Sequence, residues 1–254
     1  MVSFTVLGGS PAWPNPNQAA SGDLVEHADR RMLLDCGSGI ATELRGNDPG
    51  PLTDILITHF HADHWFDLVP LHFLHLYGIW KTRPRPSVYL PPGGRELVDR
   101  VASVWNGTIE SFDRAFDVSE FESDGAIELD GLRFTFTPTT HYCPCHAIRI
   151  EGPEASIAYT ADTAPDERVT RLVHDADLLV AEAALPTASA DNEGERGHMA
   201  PDEAAALATR AGAARLLLTH VPVENDLGSV LARAQTNFTG PIEVARPGLR
   251  YRFT

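Results

Sequence analysis

The sequence predicts a single α/β domain spanning residues 1–254. Three observations carry this. Short β-branched or aliphatic runs punctuated by Gly and Pro recur along the chain, and helix-like stretches lie between many of them. The composition, 43% hydrophobic and 22% charged, is that of a globular protein able to bury a sizeable core. The length falls within the ~250 residues that one α/β domain can reach.

The first strands are read at Ser3–Leu7, Asp23–Glu26, Arg31–Leu34 and Asp54–Thr58, the last buried on both faces. Asp63 to Tyr77 is helix-like, with a kink or break expected at Pro70. A Pro-rich connector, Lys81 to Pro86, leads to a strand at Ser87–Leu90 and a helix from about Gly94 to Trp105. Asn106–Ser123 fits no pattern. Strands are expected at Leu132–Thr137, His146–Ile150 and Ser156–Thr160, a helix at Asp166–His174 and a strand at Asp177–Ala181. Ala188 to Gly197 reads as a loop, and Pro201–Ala211 as a helix with Pro in its first turn. Arg215–Thr219 is a strand, Leu227–Asn237 a helix, and Ile242–Ala245 and Leu249–Phe253 are the closing strands.

Composition excludes several function classes. The longest apolar runs, such as Leu216-Leu217-Leu218, fall far below the ~18 residues of a bilayer span, so no membrane partner is expected. Met1 to Gly9 has no basic flank and reads as a strand rather than a signal peptide. Three cysteines make no disulfide framework, so a reducing cytoplasm is the expected compartment. Twenty Lys and Arg against 35 Asp and Glu give a net charge of −15, which disfavours gripping duplex nucleic acid and otherwise serves solubility.

The strongest chemical signal follows the buried strand: Thr58-His59-Phe60-His61-Ala62-Asp63-His64. In an extended segment residues two apart point the same way, so His59 and His61 can face one metal ion. The chain then turns into a helix, from which Asp63 and His64 can address a second ion. Imidazole and carboxylate suit zinc, iron or manganese. Further donors stand at predicted strand ends: His141 after Leu132–Thr137, Asp162 after Ser156–Thr160, and His220 after Arg215–Thr219. Strand ends along one sheet edge are where an α/β protein assembles a site from distant sequence.

In these residues the chain resembles the metallo-β-lactamase superfamily: an HxHxDH box, then single His, Asp and His ligands in that order, with Asp35-Cys36-Gly37 after an early strand. The resemblance implies a four-layer αβ/βα sandwich with two divalent metal ions, zinc first and manganese or iron as alternatives. It implies that His59, His61 and His141 hold one ion, Asp63, His64 and His220 the other, and Asp162 bridges both. Asp35 would orient a ligand histidine. Two ions (+4), two aspartates (−2) and a bridging hydroxide (−1) leave about +1, which attracts a small anionic substrate and lowers the pKa of bound water towards ~7.

Asp177–Glu182 ends in a glutamate, and His198 stands just before an alanine-rich helix. This pair, with Leu7-Gly8-Gly9, Pro16-Asn17 and Ser21–Glu26, resembles the ribonuclease Z and cyclic-nucleotide phosphodiesterase branch. There the histidine protonates the leaving oxygen, so the resemblance implies Asp63, Glu182 and His198 as catalytic residues. A helix cap and surface pair is the competing account of Glu182 and His198. Bacterial ribonuclease Z inserts a tRNA-gripping arm between the ligands corresponding to His141 and Asp162, but here they are only 21 residues apart. A small phosphodiester, such as a cyclic nucleotide or an RNA 3′ end, is therefore expected ahead of precursor tRNA. A lactone, ester or thioester hydrolase on the same ligands is the main rival. A non-catalytic metal-bearing protein is disfavoured because all seven ligand positions are filled.

Weaker signals complete the reading. Cys143, Cys145 and His146 are expected to line the pocket or pack beneath it. Lys81, Arg83 and Arg85 form either a phosphate contact or a solvated loop. His72 and His75 are read as core or interface residues, and Tyr77, Ile79 and Trp80 as a pocket wall or homodimer contact.

Overall fold

The computed structural model describes residues 1–47, 50–106, 112–188 and 196–254. The first half of the chain supplies β1 (Val2–Gly8), β2 (Gly22–His27), β3 (Arg30–Leu34), α1 (Ile40–Asn47), β4 (Asp54–Leu56), α2 (Ala62–Trp65), α3 (Leu68–Leu76), β5 (Ser87–Leu90), α4 (Gly94–Asn106) and β6 (Asp117–Glu120). The second half supplies β7 (Ala126–Leu129), β8 (Leu132–Pro138), β9 (His146–Glu151), β10 (Ser156–Tyr159), α5 (Glu167–Leu172), β11 (Leu178–Glu182), α6 (Pro201–Ala211), β12 (Leu216–Thr219), α7 (Leu227–Ala234), β13 (Ile242–Val244) and β14 (Arg250–Phe253).

These strands form two seven-stranded sheets, ordered β14-β1-β2-β3-β4-β5-β6 and β13-β12-β11-β10-β9-β8-β7. In each, one half is antiparallel and the other parallel: β3 to β6 run parallel in the first, β10 to β13 in the second. Strand side chains alternate between faces, and that alternation builds the layers. Met32 and Leu34 enter the cluster between the sheets with Phe4, Phe134, Ile148, Val180 and Leu217. Leu33, one residue out of phase, joins Ile55, Val88, Leu44, Leu71 and Val98 beneath α1, α3 and α4. On the far side Leu179, Ala181, Leu216 and Leu218 pack against Val169, Ala204, Ala208 and Val230 of α5, α6 and α7. Three apolar layers between four structural layers make the αβ/βα sandwich that the sequence led us to expect.

Several element boundaries differ from expectation. The strand read to Thr58 ends at Leu56, because Asp35 N–H takes the Leu56 carbonyl at 2.8 Å and the Asp35 side chain takes the Thr58 N–H. The Asp63–Tyr77 segment is two helices, and the break falls at Phe66 and Asp67 instead of Pro70. Pro70 occupies the first turn of α3, where an N–H has no intrahelical acceptor to lose. The alanine-rich helix matches its reading at Pro201–Ala211. β6, β7 and α1 were not anticipated; β6 lies within the unassigned stretch, of which 107–111 fall outside the described residues, as do 189–195 of the expected loop.

The Lys81–Pro86 connector leads into the start of β5, at the opposite end of the strands from the histidines that follow β4. Arg85 there pairs with Asp117 and donates to the Asp113 carbonyl, so its charge is engaged away from the metal ligands. The Tyr77–Ile79–Trp80 cluster is split: Trp80 is buried against His75, whereas Tyr77 and Ile79 face outward. His72 and His75 are buried among Phe112, Phe116 and Trp80, as core residues. Among the described residues no helix is long and apolar enough to cross a membrane.

Candidate metal centre

Parallel strands end at a common edge, and each sheet contributes its edge to one site. Asp35 follows β3, His59 follows β4, His141 follows β8, Asp162 follows β10, Glu182 ends β11 and His220 follows β12. Asp35 and His220 adopt left-handed backbone (φ 59° each), as does Ala161 before Asp162 (φ 49°), so the chain turns sharply where it leaves each strand. The two edges are joined by the His146 N–H donating to the Thr58 carbonyl at 3.2 Å.

The HxHxDH segment is laced to the loop after β3. Cys36 N–H donates to the His64 carbonyl, Ser21 N–H to the Asp63 carbonyl at 3.0 Å, and Asp67 N–H to the Cys36 carbonyl at 3.0 Å. A Cβ on Gly37 would stand 1.9 Å from the Asp63 carbonyl oxygen, so only glycine lets the two loops approach this closely. His61 remains extended (φ −68°, ψ 144°) before α2 begins, which brings the His59 and His61 rings to 4.9 Å centroid separation.

The seven donor residues converge. His141 Nε2 lies 3.0 Å from His61 Nδ1, and Asp162 Oδ2 lies 3.7 Å from both His59 Nε2 and His141 Nε2. On the other side, His220 Nε2 is 3.0 Å and His64 Nε2 3.5 Å from Asp63 Oδ2, with Asp162 Oδ1 3.5 Å from His64 Nε2 and Oδ2 3.8 Å from His220 Nε2. Ligands about 2.1 Å from a tetrahedral ion stand about 3.4 Å apart, so these spacings suit coordination. Asp162 alone reaches both groups.

Distant partners fix the ring orientations. Asp35, fully buried, accepts from His64 Nδ1 at 2.7 Å, Tyr159 Oη at 3.0 Å, Thr58 Oγ1 at 2.9 Å and the Thr58 N–H at 2.8 Å. With its Nδ1 proton held there, His64 turns Nε2 towards Asp63 and Asp162. His141 Nδ1 donates to the Gly197 carbonyl at 2.8 Å, which likewise frees Nε2. Such partners are what a ligating histidine requires. Tyr159 and Gly197 were not singled out in the sequence; the only hint was a tyrosine in the otherwise small and aliphatic run Ser156–Thr160.

The electrostatics of His59 and His141 fit the same role. Burial, with the His64 charge adding, pushes the His59 imidazole well below its ordinary pKa, and burial brings His141 to about 4. Both are neutral bases, the state that binds metal. Burial opposes a charge on His64, but Asp162 and Asp35 outweigh it and raise its pKa well above the usual value. Burial would raise Asp63 and Asp162 too, yet His220 and His64 hold both carboxyls well below the carboxylate range. His59 Nε2 and His220 Nδ1 are buried without a hydrogen-bond partner. A buried imidazole nitrogen of His59 aimed at a carboxylate 3.7 Å away, among four other histidines, is a donor set that fits divalent ions.

Beside this cluster, Glu182 and His198 meet: Oε1 lies 2.9 Å from His198 Nδ1, and His198 Nδ1 is 4.0 Å from Asp162 Oδ2. The glutamate is buried and His198 is half-buried, so the pair is no surface cap. Tyr142 stands exposed beside the His141 and His198 rings. Cys145 is buried beneath His59, its Sγ 3.5 Å from Nδ1, whereas His146 packs on Phe121 and bonds Ser123 Oγ at 2.6 Å. Cys143, half-buried, faces the His59, His61 and His141 donors.

Comparison with known proteins agrees with this fold. Residues 30–221 match the family model described as a beta-lactamase superfamily domain. The chain is 31% identical over 254 residues to the probable metallo-hydrolase YhfI of Bacillus subtilis, covering 97% of this chain and 98% of that one. The crystal structure of YhfI superposes with a TM-score of 0.86 at 28% identity over 99% of this chain and all of that chain. Ribonuclease Z of Methanothermobacter thermautotrophicus is 29% identical over 287 residues, covering 92% of this chain and 91% of the relative. Human tRNase Z, short form, shares the fold with a TM-score of 0.78 at 22% identity, over 99% of each chain.

Proposed function

The chain belongs to the beta-lactamase superfamily as a metallo-hydrolase, and from that premise we propose that it is a phosphodiesterase acting on a small phosphodiester, such as a cyclic nucleotide or an RNA 3′ end. The observation that carries this reading is the buried Glu182 against His198, beside Asp162. A histidine held in this way beside the cluster can protonate an alkoxide as it departs from phosphorus, and the substrate panel below separates this from an acyl hydrolase, whose leaving group is also an alkoxide.

His59, His61 and His141 would hold one divalent ion, Asp63, His64 and His220 the other, with Asp162 between them. When bound, a pair of zinc ions (or manganese or iron) lowers the pKa of coordinated water towards ~7 and polarises a phosphoryl oxygen. The remaining work falls to this chain's side chains. Asp35 and the Gly197 carbonyl hold His64 and His141 by Nδ1, so both keep Nε2 turned inwards without a change of rotamer. Glu182 binds the Nδ1 proton of His198 and stabilises the imidazolium, leaving Nε2–H as the proton donor to the departing oxygen. Charge development on that oxygen is thereby avoided, a contribution of typically ~10²–10⁴-fold.

The shape of the chain between His141 and Asp162 bears on substrate size. That interval is filled by β9, a short turn and β10, paired with Ser156 opposite Glu151. It holds no arm with which to grip tRNA, and the net charge is −15. A panel of cyclic nucleotides, bis(p-nitrophenyl) phosphate, a lactone, a thioester and precursor tRNA tests the proposal. Phosphodiester turnover well above that of lactone and thioester is expected; the reverse order would replace it with the acyl hydrolase.

A further inference from the structure

The thiol of Cys143 stands where none of the roles above uses it. Its Sγ and one ring nitrogen of each of His59, His61 and His141 lie within 4.8 Å of one another. His59 Nε2 is buried and has no hydrogen-bond partner. Of the three cysteines, Cys36 and Cys145 are buried, so Cys143 is the one that can meet an ion at the site edge without displacing the core.

We propose that Cys143 is a further protein donor to the first ion, giving that position three imidazoles and a thiolate beside the shared Asp162, while the second keeps two imidazoles, the Asp63 carboxylate and its share of Asp162. This rests on the reading that His59, His61 and His141 bind a metal. On ligation the S–H proton passes to the buffer and the sulfur lone pair forms the bond to the ion; no electron changes hands. The chemical consequence is a difference between two neighbouring ions. Thiolate with imidazole favours zinc, whereas a set with two carboxylates accepts manganese readily. The first ion is therefore retained on dialysis and the second exchanges. A site closed by protein donors also resembles the structural type of zinc position, which leaves the open coordination to the second ion.

Cobalt(II) replacing the native metal in the full-length protein tests this without relying on turnover. The expected spectrum has an intense near-ultraviolet thiolate-to-cobalt band together with the visible bands of the bound ion. In Cys143→Ser the near-ultraviolet band disappears while the visible bands persist, and in Cys145→Ala both remain. Zinc-edge X-ray absorption of the wild type should show sulfur at about 2.3 Å, absent from Cys143→Ser. Visible cobalt bands with no thiolate band in the wild type, or a thiolate band that survives Cys143→Ser, overturn the proposal and leave the histidine site intact. Failure to bind cobalt at all in a folded wild type overturns both. Circular dichroism of each variant establishes that it is folded.

Discussion

Glu182 Oε1 lies 2.9 Å from His198 Nδ1 and also accepts the Thr163 N–H at 3.0 Å, while Oε2 accepts the Ala184 N–H at 3.1 Å. Two backbone donors thus fix a buried carboxylate before the histidine reaches it, and the histidine inherits that orientation. If His198 is the proton donor, its value depends on the leaving group. His198→Ala should lower kcat ~10²–10⁴-fold on a ribose or alkyl phosphodiester, roughly 3–5 kcal/mol of barrier. The loss should be much smaller for a p-nitrophenyl leaving group, with metal content unchanged. Glu182→Gln should show the same pattern more weakly. Equal losses on both substrates would make His198 a binding residue.

Asp35 reaches the candidate ligands directly at His64 and, by way of Thr58 Oγ1, at His59 Nδ1. Asp35→Asn removes the negative acceptor for His64 Nδ1 and Tyr159 Oη, and should weaken metal binding 10–100-fold, the range seen for such supporting residues. Isothermal titration should show the larger loss at the second ion, whose candidate ligand His64 bonds Asp35 directly. Tyr159→Phe removes one hydrogen bond and should cost less; equal affinities across the series would dissociate Asp35 from the site.

Removing metal should abolish turnover and lower thermal stability together. The cluster brings five histidines and two carboxylates together, and an ion present at 100 times its dissociation constant adds about 2.7 kcal/mol. For a chain of this size that corresponds to a rise in Tm of roughly 5–10 °C, read by calorimetry before and after chelation. Unchanged Tm and full activity after verified removal of metal would defeat the assignment.

Substrate size follows from the missing arm and the acidic balance. Small phosphodiesters should turn over far better than precursor tRNA at any salt concentration. Efficient tRNA trimming that falls steeply as salt rises would indicate phosphate-gripping contacts and reverse this reading.

His75 offers a pH test away from the metals. Burial, with His72 adding, lowers its pKa from 6.5 to about 4. The folded state holds the neutral imidazole, so its contribution is complete above pH ~6.5 and is lost as pH falls towards 4. His75→Leu should flatten the fall in urea midpoint between pH 7 and pH 5 relative to the wild type. Parallel profiles would show that His75 does not titrate in that window.

The HxHxDH box was legible because six consecutive residues carry it, His59 to His64, and one short turn orients them all. The strands were legible for a related reason: Met32, Leu33 and Leu34 alternate between two apolar layers, and such alternation is a local property. Helix α1 was missed because its cap is not local. Gly39 and Ala41 N–H groups are both taken by Asp67 Oδ2, at 2.9 and 2.8 Å, from a carboxylate well downstream. Strand β6 was missed because Asp117–Glu120 is an exposed edge with little apolar signal.

From the sequence alone came the kinds of donor, their order and the strand ends that carry them. Tertiary structure decided which atom each donor presents. The His141 ring is turned by a carbonyl 56 residues away, and His64 by a carboxylate 29 residues earlier. An imidazole has two nitrogens that the sequence cannot tell apart; the hydrogen bond made by one leaves the other for the ion, and that partner arrives only when the two sheets close on each other.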